Sequence, residues 1–289
     1  MRKSLLAAGT VAAVLLLGAC GMQKGAASAA GPQSTGGSAG LSSPFTNANQ
    51  LVAAAKEGTN KSKSAKFTMR ANLLGQSVKS TGQGRFDGAN SAMAMTIDTS
   101  MGQMEMRLVD KTVYMKLPGA QAAQLGNGKP WLEIDSNGDA PASKVLSGSL
   151  SAAEQNDPSK TLEQIAKAGT IIKSEQTTLN GEPVNHYTLD LDFAKTAGQL
   201  PGGLSDQAMG SLKGKNVHIP MELWLNAEQL PVQIVMDMGP LMQAAGTPTQ
   251  GGDSKMTVTY SDWGTPVDVQ APPADQVGSL SQVVPTPTR

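Results

Sequence analysis

The sequence predicts an α+β fold: one large curved antiparallel sheet of about eleven strands, covered by a few helices. Three observations carry this. Apolar residues recur at every second position in run after run of the middle of the chain, the period of half-buried strands. That alternation leaves one face apolar and one polar, as in antiparallel sheets with one wet side. Helical periodicity with start and stop signals is confined to short stretches.

The chain opens on Arg2-Lys3, an apolar run Leu5–Leu17, and the small residues Gly18-Ala19 before Cys20. This is the order of a secretory signal peptide, residues 1–19. The run is shorter than the roughly 20 residues a membrane span needs. Leu17-Gly18-Ala19-Cys20 resembles the bacterial lipobox L-[AG]-[AG]-C. The resemblance implies cleavage before Cys20, a diacylglycerol on its sulfur, and anchoring to the outer face of the cell membrane. Cys20 is the one cysteine of 289 residues. With it lipidated, no disulfide, thiol nucleophile or cysteine metal ligand remains, so stability must come from a core.

Residues 20–44 are small and polar without period. Such a segment cannot bury enough apolar surface to order itself and reads as a flexible tether spanning roughly 25–30 Å. Gly36-Gly37-Ser38-Ala39-Gly40 matches G-x-S-x-G, but no strand precedes it, so a nucleophile elbow is not expected. Residues 276–289 read as a loose tail. The domain is expected over 45–275.

The strands follow in order. Lys66–Leu74 and Ser77–Phe86 are irregular strands. Met93, Met95 and Ile97 share a face, as do Met104, Met106 and Leu108, and Val113, Met115 and Leu117. Trp131–Ile134 and Ile171–Leu179 follow. Tyr187, Leu189 and Leu191 oppose His186, Thr188, Asp190 and Asp192. Then come Ile219, Met221, Leu223 and Leu225; Val232, Ile234, Met236 and Met238; and Met256, Val258 and Tyr260. Asp87-Gly88 and Asn180-Gly181 are hairpin-turn pairs, and Pro231 suits a strand start.

Two helices are marked. One runs from Asp157 (N-cap) and Pro158 (first turn) to Gly169, with Leu162, Ile165 and Ala166 on one face. The other covers Asn49–Thr59, with Leu51, Val52 and Ala55 inward. Residues 140–153 and 193–212 are expected to add helical turns. A large twisted sheet tends to curl, and its apolar face needs cover. Curling under short helices leaves room for a cavity.

Composition excludes several functions. The formal net charge is zero, with 23 Lys+Arg and 23 Asp+Glu; loss of Arg2 and Lys3 leaves it slightly acidic. No basic stripe is visible, so a nucleic-acid partner is not expected. The two histidines, His186 and His218, stand apart, with no zinc-ligand spacing. Asp190 and Asp192 alternate on a polar strand face, which exposure explains better than acid–base chemistry. Gly210–Asn216 lacks the spacing of a phosphate loop. No enzyme activity, metal or cofactor is expected.

Several phrases, in order, resemble a known family: Val113–Gly119 (VYMKLPG), Lys129–Asp135 (KPWLEID), Leu179–Asp192, Met221–Met238 and Tyr260–Ala274. Together they look like actinobacterial lipoproteins of the LppX/LprG type, similar in fold to LolA and LolB. The Ala, Gly, Ser and Thr bias is a further hint of an actinobacterium. The resemblance implies a LolA-like half-barrel wrapped around helices. It also implies an apolar pocket that binds acyl lipid or lipoglycan, which the protein carries or displays in the envelope.

The 15 methionines suit a shelter for variable chains, since the side chain is unbranched and adaptable. The candidate lining is Met93, Met95, Ile97, Met104, Met106, Leu108, Met115, Leu189, Leu191, Met221, Leu223, Ile234, Met236, Met238 and Val258. The same residues would also serve as an ordinary core. Two alternatives stay open: a scaffold lipoprotein with a filled core, acting on an envelope transporter or cell-wall enzyme, and a sensor of a small apolar molecule.

Overall fold

A computed structural model describes residues 40–73, 76–87, 90–99, 102–116, 118–119, 128–134, 157–196, 210–246 and 254–279. Cys20, the leader, most of the tether, Leu117, the expected turns at 140–153 and the far tail lie outside these residues.

The first half of the domain is a helix followed by a meander. Helix α1 is Ala48–Ser62. Six strands follow: β1 (Ser64–Leu73), β2 (Gln76–Arg85), β3 (Ala92–Thr99), β4 (Gly102–Val109), β5 (Thr112–Lys116) and β6 (Trp131–Ile134). The second half begins with α2 (Pro158–Ala168) and continues through β7 (Gly169–Leu179), β8 (Glu182–Asp192) and a single turn α3 (Phe193–Thr196). Then come β9 (His218–Leu225), β10 (Pro231–Asp237), α4 (Gly239–Ala244) and β11 (Lys255–Ser261). A 3-10 turn, Ala274–Gln276, precedes β12 (Val277–Ser279).

All twelve strands belong to one sheet, in the order β12-β6-β5-β4-β3-β2-β1-β11-β10-β9-β8-β7. Each half is therefore a meander of sequential neighbours. The halves join where β11 returns to pair antiparallel with β1 over Lys66–Ala71. The sheet is curved and open, with β7 at one edge.

Local chemistry explains the helices. The Asn47 side chain accepts from the backbone N–H groups of Asn49 and Gln50 and caps α1. Lys63 takes the left-handed conformation, φ 58°, and closes it. Asp157 caps α2 by accepting from Ser159 N–H, and Pro158 occupies the first turn. Gly169 does not end that helix in a left-handed cap: its φ and ψ are −83° and 137°, and β7 starts there directly. Helix α1 buries Leu51, Val52 and Ala55. Helix α2 buries Leu162 and Ile165, and it buries Ala168 where Ala166 was expected. The two helices pack on each other and on β7, with α2 also against β8.

Three further details differ from the sequence reading. Residue Met238 falls just past β10, because Gly239-Pro240 starts α4 and proline cannot donate to a ladder. An irregularity between Pro231 and Gln233 takes Val232 out of regular pairing. Finally, Val277–Ser279 pairs parallel with Trp131–Glu133, which extends the ordered sheet beyond residue 275 and makes twelve strands rather than eleven.

Candidate functional site

Register sorts the candidate residues onto one inner face. Paired residues share a side of the sheet, so each ladder defines a row across it. One row runs Tyr260, Phe67, Gly82, Met95, Met106, Met115, Leu132. Beside it lies Tyr187, Leu223, Ile234, Val258, Met69, Ser80, Ile97, Met104. A third joins Met93, Leu108, Val113 and Ile134. A fourth joins Leu189, Met221, Met236, Met256 and Ala71. Leu191 pairs with Ile219 beyond it.

The two halves of this face differ in cover. Around β8 and β9 the packing is closed: Leu189, Leu191, Met221, Leu223 and Ile234 are buried with Leu51, Leu162 and Ile165 of the helices. Met236 and Val258 are buried in the same cluster. Across β3 to β5, Met93, Met95, Met106, Leu108 and Met115 are buried floor residues. Toward the β1–β2 and β3–β4 hairpin ends, Met69, Val78, Ile97, Met104 and Met256 are only half-buried. So is Met238. The apolar face is continuous, but its described helical cover lies over β7, β8 and β9.

Two polar side chains interrupt the second row. Tyr187 is fully buried, and its phenol oxygen accepts from Phe45 N–H at 3.2 Å; burial pushes its pKa up. Ser80 is also fully buried, and its hydroxyl has no hydrogen-bond partner among the described residues. Tyr260 in the first row is buried, which raises its pKa, with a smaller push from the Asp157 charge. Gly82 is required there: a Cβ would lie 2.5 Å from Phe67 Cζ and 2.6 Å from the Ala94 carbonyl oxygen.

The outer face is polar and carries a feature sequence reasoning missed. After β11 the chain crosses this face as a strap. Ser64 Oγ donates to the Thr265 carbonyl, Gln83 Nε2 to Asp268 and an Arg107 guanidinium nitrogen to Gln270. Lys129 Nζ donates to Asp275, and β12 then closes on β6. The Arg107 guanidinium also lies 4.6 Å from the Trp131 ring centroid. The alternation of Val267 and Val269 is the available signal in the sequence. An open groove of about 340 Å³ beside the strap is lined by Lys66, Thr81, Gln83, Thr96, Glu105 and Arg107 among others. Met95 and Met106 also line it, so it mixes charged, polar and apolar groups and is not the closed apolar pocket expected.

The histidines lie on this outer face as expected, but His186 is not a free surface residue. Its ring stacks on Trp224 with centroids 4.4 Å apart and planes within 6°. Its Nε2 is 3.1 Å from Glu222 and its Nδ1 3.4 Å from Glu175. His218 Nδ1 is 2.8 Å from Asp190. Among the described residues, no group of three His, Cys, Asp or Glu is arranged to hold a metal. No helix among them is long and apolar enough to cross a membrane.

No protein-family model and no curated protein matches the chain. Solved structures with similar folds do exist. The crystal structure of LprF from Mycobacterium bovis superposes with a TM-score of 0.47 at 17% identity, over 80% of this chain and 99% of that one. An uncharacterized conserved protein from Thermus thermophilus gives 0.39 at 10% identity, over 80% and 98%. A DUF1329 family protein from Desulfovibrio piger gives 0.30 at 12%, over 74% and 90%.

Proposed function

We propose that this chain is a lipoprotein, anchored through Cys20 to the outer face of the cell membrane, that shelters acyl lipid against the inner face of its sheet. The supporting observation is the apolar face on which Met69, Ile97, Met104 and Met256, toward the hairpin ends, are only half-buried. Partly exposed apolar side chains gathered on one side of a sheet fit a binding surface. Methionine suits variable chains. The energetic need is large: an acyl chain in water costs about 0.8 kcal/mol per CH₂, on the order of 12 kcal/mol for sixteen carbons.

The closed packing around β8 and β9 favours a second reading, a scaffold with a filled interior. One experiment separates the two. The full-length chain, expressed in an actinobacterial host and purified gently, is extracted with organic solvent and analysed by mass spectrometry beside a Met69→Trp, Met104→Trp variant. A stoichiometric acyl lipid, lost from a folded variant, supports the shelter. A clean extract from the wild-type chain supports the scaffold.

A further inference from the structure

Ser80 stands out on the inner face. Its row crosses eight strands as Tyr187, Leu223, Ile234, Val258, Met69, Ser80, Ile97 and Met104. The two polar members differ in one respect. The Tyr187 hydroxyl is met by Phe45 N–H, whereas the Ser80 hydroxyl is fully buried with no hydrogen-bond partner among the described residues. A buried hydroxyl without a partner carries a desolvation cost, and alanine would fit the same strand position without it. Native structures keep few such groups.

The surroundings indicate what would satisfy it. Met69 and Ile97 flank Ser80 in register on either side, and both are only half-buried, so the face begins to open one residue away from the buried hydroxyl. Methionine re-aims easily because it is unbranched. The next position toward the floor is Gly82, which has no side chain. No charged residue lies in the row, so the complement is a neutral oxygen rather than an ion.

We propose that Ser80 is a specificity-determining residue that donates its hydroxyl hydrogen to a carbonyl oxygen of the bound lipid, selecting an acyl ester over a plain hydrocarbon. This rests on the shelter reading above. The hydrophobic chain supplies affinity without direction. A buried donor supplies register, because an ester carbonyl placed elsewhere leaves the hydroxyl unpaired. A site built around a polar group discriminates strongly against ligands that lack its partner.

The test uses the purified full-length chain, with methyl palmitate and n-octadecane as competitors for bound 1-aminoanthracene. Ser80→Ala should weaken methyl palmitate about tenfold, the scale of one buried hydrogen bond, and leave octadecane unchanged. Ser80→Thr, which keeps the hydroxyl, should recover most of the ester affinity. With carbonyl-labelled methyl palmitate, the bound C=O stretch should lie at lower frequency in the wild type than in Ser80→Ala. If Ser80→Ala alters neither ligand, or weakens both equally, Ser80 has no selective role while the shelter stands. If neither ligand displaces the dye from the wild-type chain, the shelter reading falls and this proposal with it.

Discussion

The Tyr187 phenol oxygen accepts a hydrogen bond from Phe45 N–H, 3.2 Å away and 142 positions earlier in the chain. It fastens the end of the tether to the core. Three amides support the clasp: Asn185 Nδ2 and Gln176 Nε2 donate to the Ser42 carbonyl, and Gln229 Nε2 donates to the Ser42 hydroxyl. Tyr187→Phe keeps the buried ring and removes the acceptor. The expected loss is about 1 kcal/mol, or roughly 2–4 °C in melting temperature for a domain of this size. Faster proteolysis at residues 40–47 is expected before any global loss. Unchanged cleavage kinetics would show that the clasp does not hold the tether.

The cap of α2 gives a pH signature. Burial raises the Asp157 pKa above the ordinary carboxylate range, opposed by the hydrogen bonds from Ser159. The folded state therefore holds this proton more tightly than the unfolded state. The contribution is most favourable below the unfolded pKa and is lost as pH rises through the folded one. Asp157→Asn keeps a cap acceptor of equal rank and removes the buried charge. Its melting temperature relative to wild type should rise between pH 3 and pH 7. Asp157→Ala, without an acceptor, should cost about 1 kcal/mol near pH 3 and less at pH 7, where the wild type carries the buried charge. A flat difference for Asn across that range would contradict the direction of the shift.

Much of the fold was legible because its strands are half-buried. Met104, Met106 and Leu108 alternate with Glu105 and Arg107, and the ladder places them as the alternation implies. The α2 boundaries were readable because Asp157 and Pro158 act locally. The strap was not legible, since its hold on the sheet is a set of side-chain donors on Ser64, Gln83, Arg107 and Lys129 meeting backbone carbonyls far along the chain. Such pairing leaves no period. Ser80 was missed for a related reason: serine on a strand looks ordinary until register reveals which side chains share its row.

The first row depends on a missing side chain. Phe67 lies over Gly82, and a Cβ at residue 82 would come within 2.5 Å of the Phe67 ring. Gly82→Ala should cost about 1–3 kcal/mol, the range for overpacking, read as a shift in urea midpoint at constant m-value. Phe67→Leu frees the ring side of the clash but not the approach to the Ala94 carbonyl, 2.6 Å away. The double variant should therefore recover only part of the loss beyond the Phe67→Leu cost. Full recovery would show that the backbone relaxes there at no expense.

The strap can be released from one residue. Arg107 donates to the Gln270 carbonyl and packs its guanidinium against Trp131, while Trp131 itself pairs with Val277 of β12. Loss of the guanidinium removes a charge-assisted hydrogen bond of about 1.5–3 kcal/mol and a cation–π contact of about 0.5–1 kcal/mol. Arg107→Ala should accelerate amide exchange at Val277–Ser279 by at least tenfold. Exchange in β8 and β9, on the other side of the sheet order, should stay as in wild type. Arg107→Lys keeps the charge but loses the planar fork, so it should fall between the two. Equal acceleration across the whole sheet would mean that Arg107 supports global stability rather than the strap, and that β12 does not open as a separate unit.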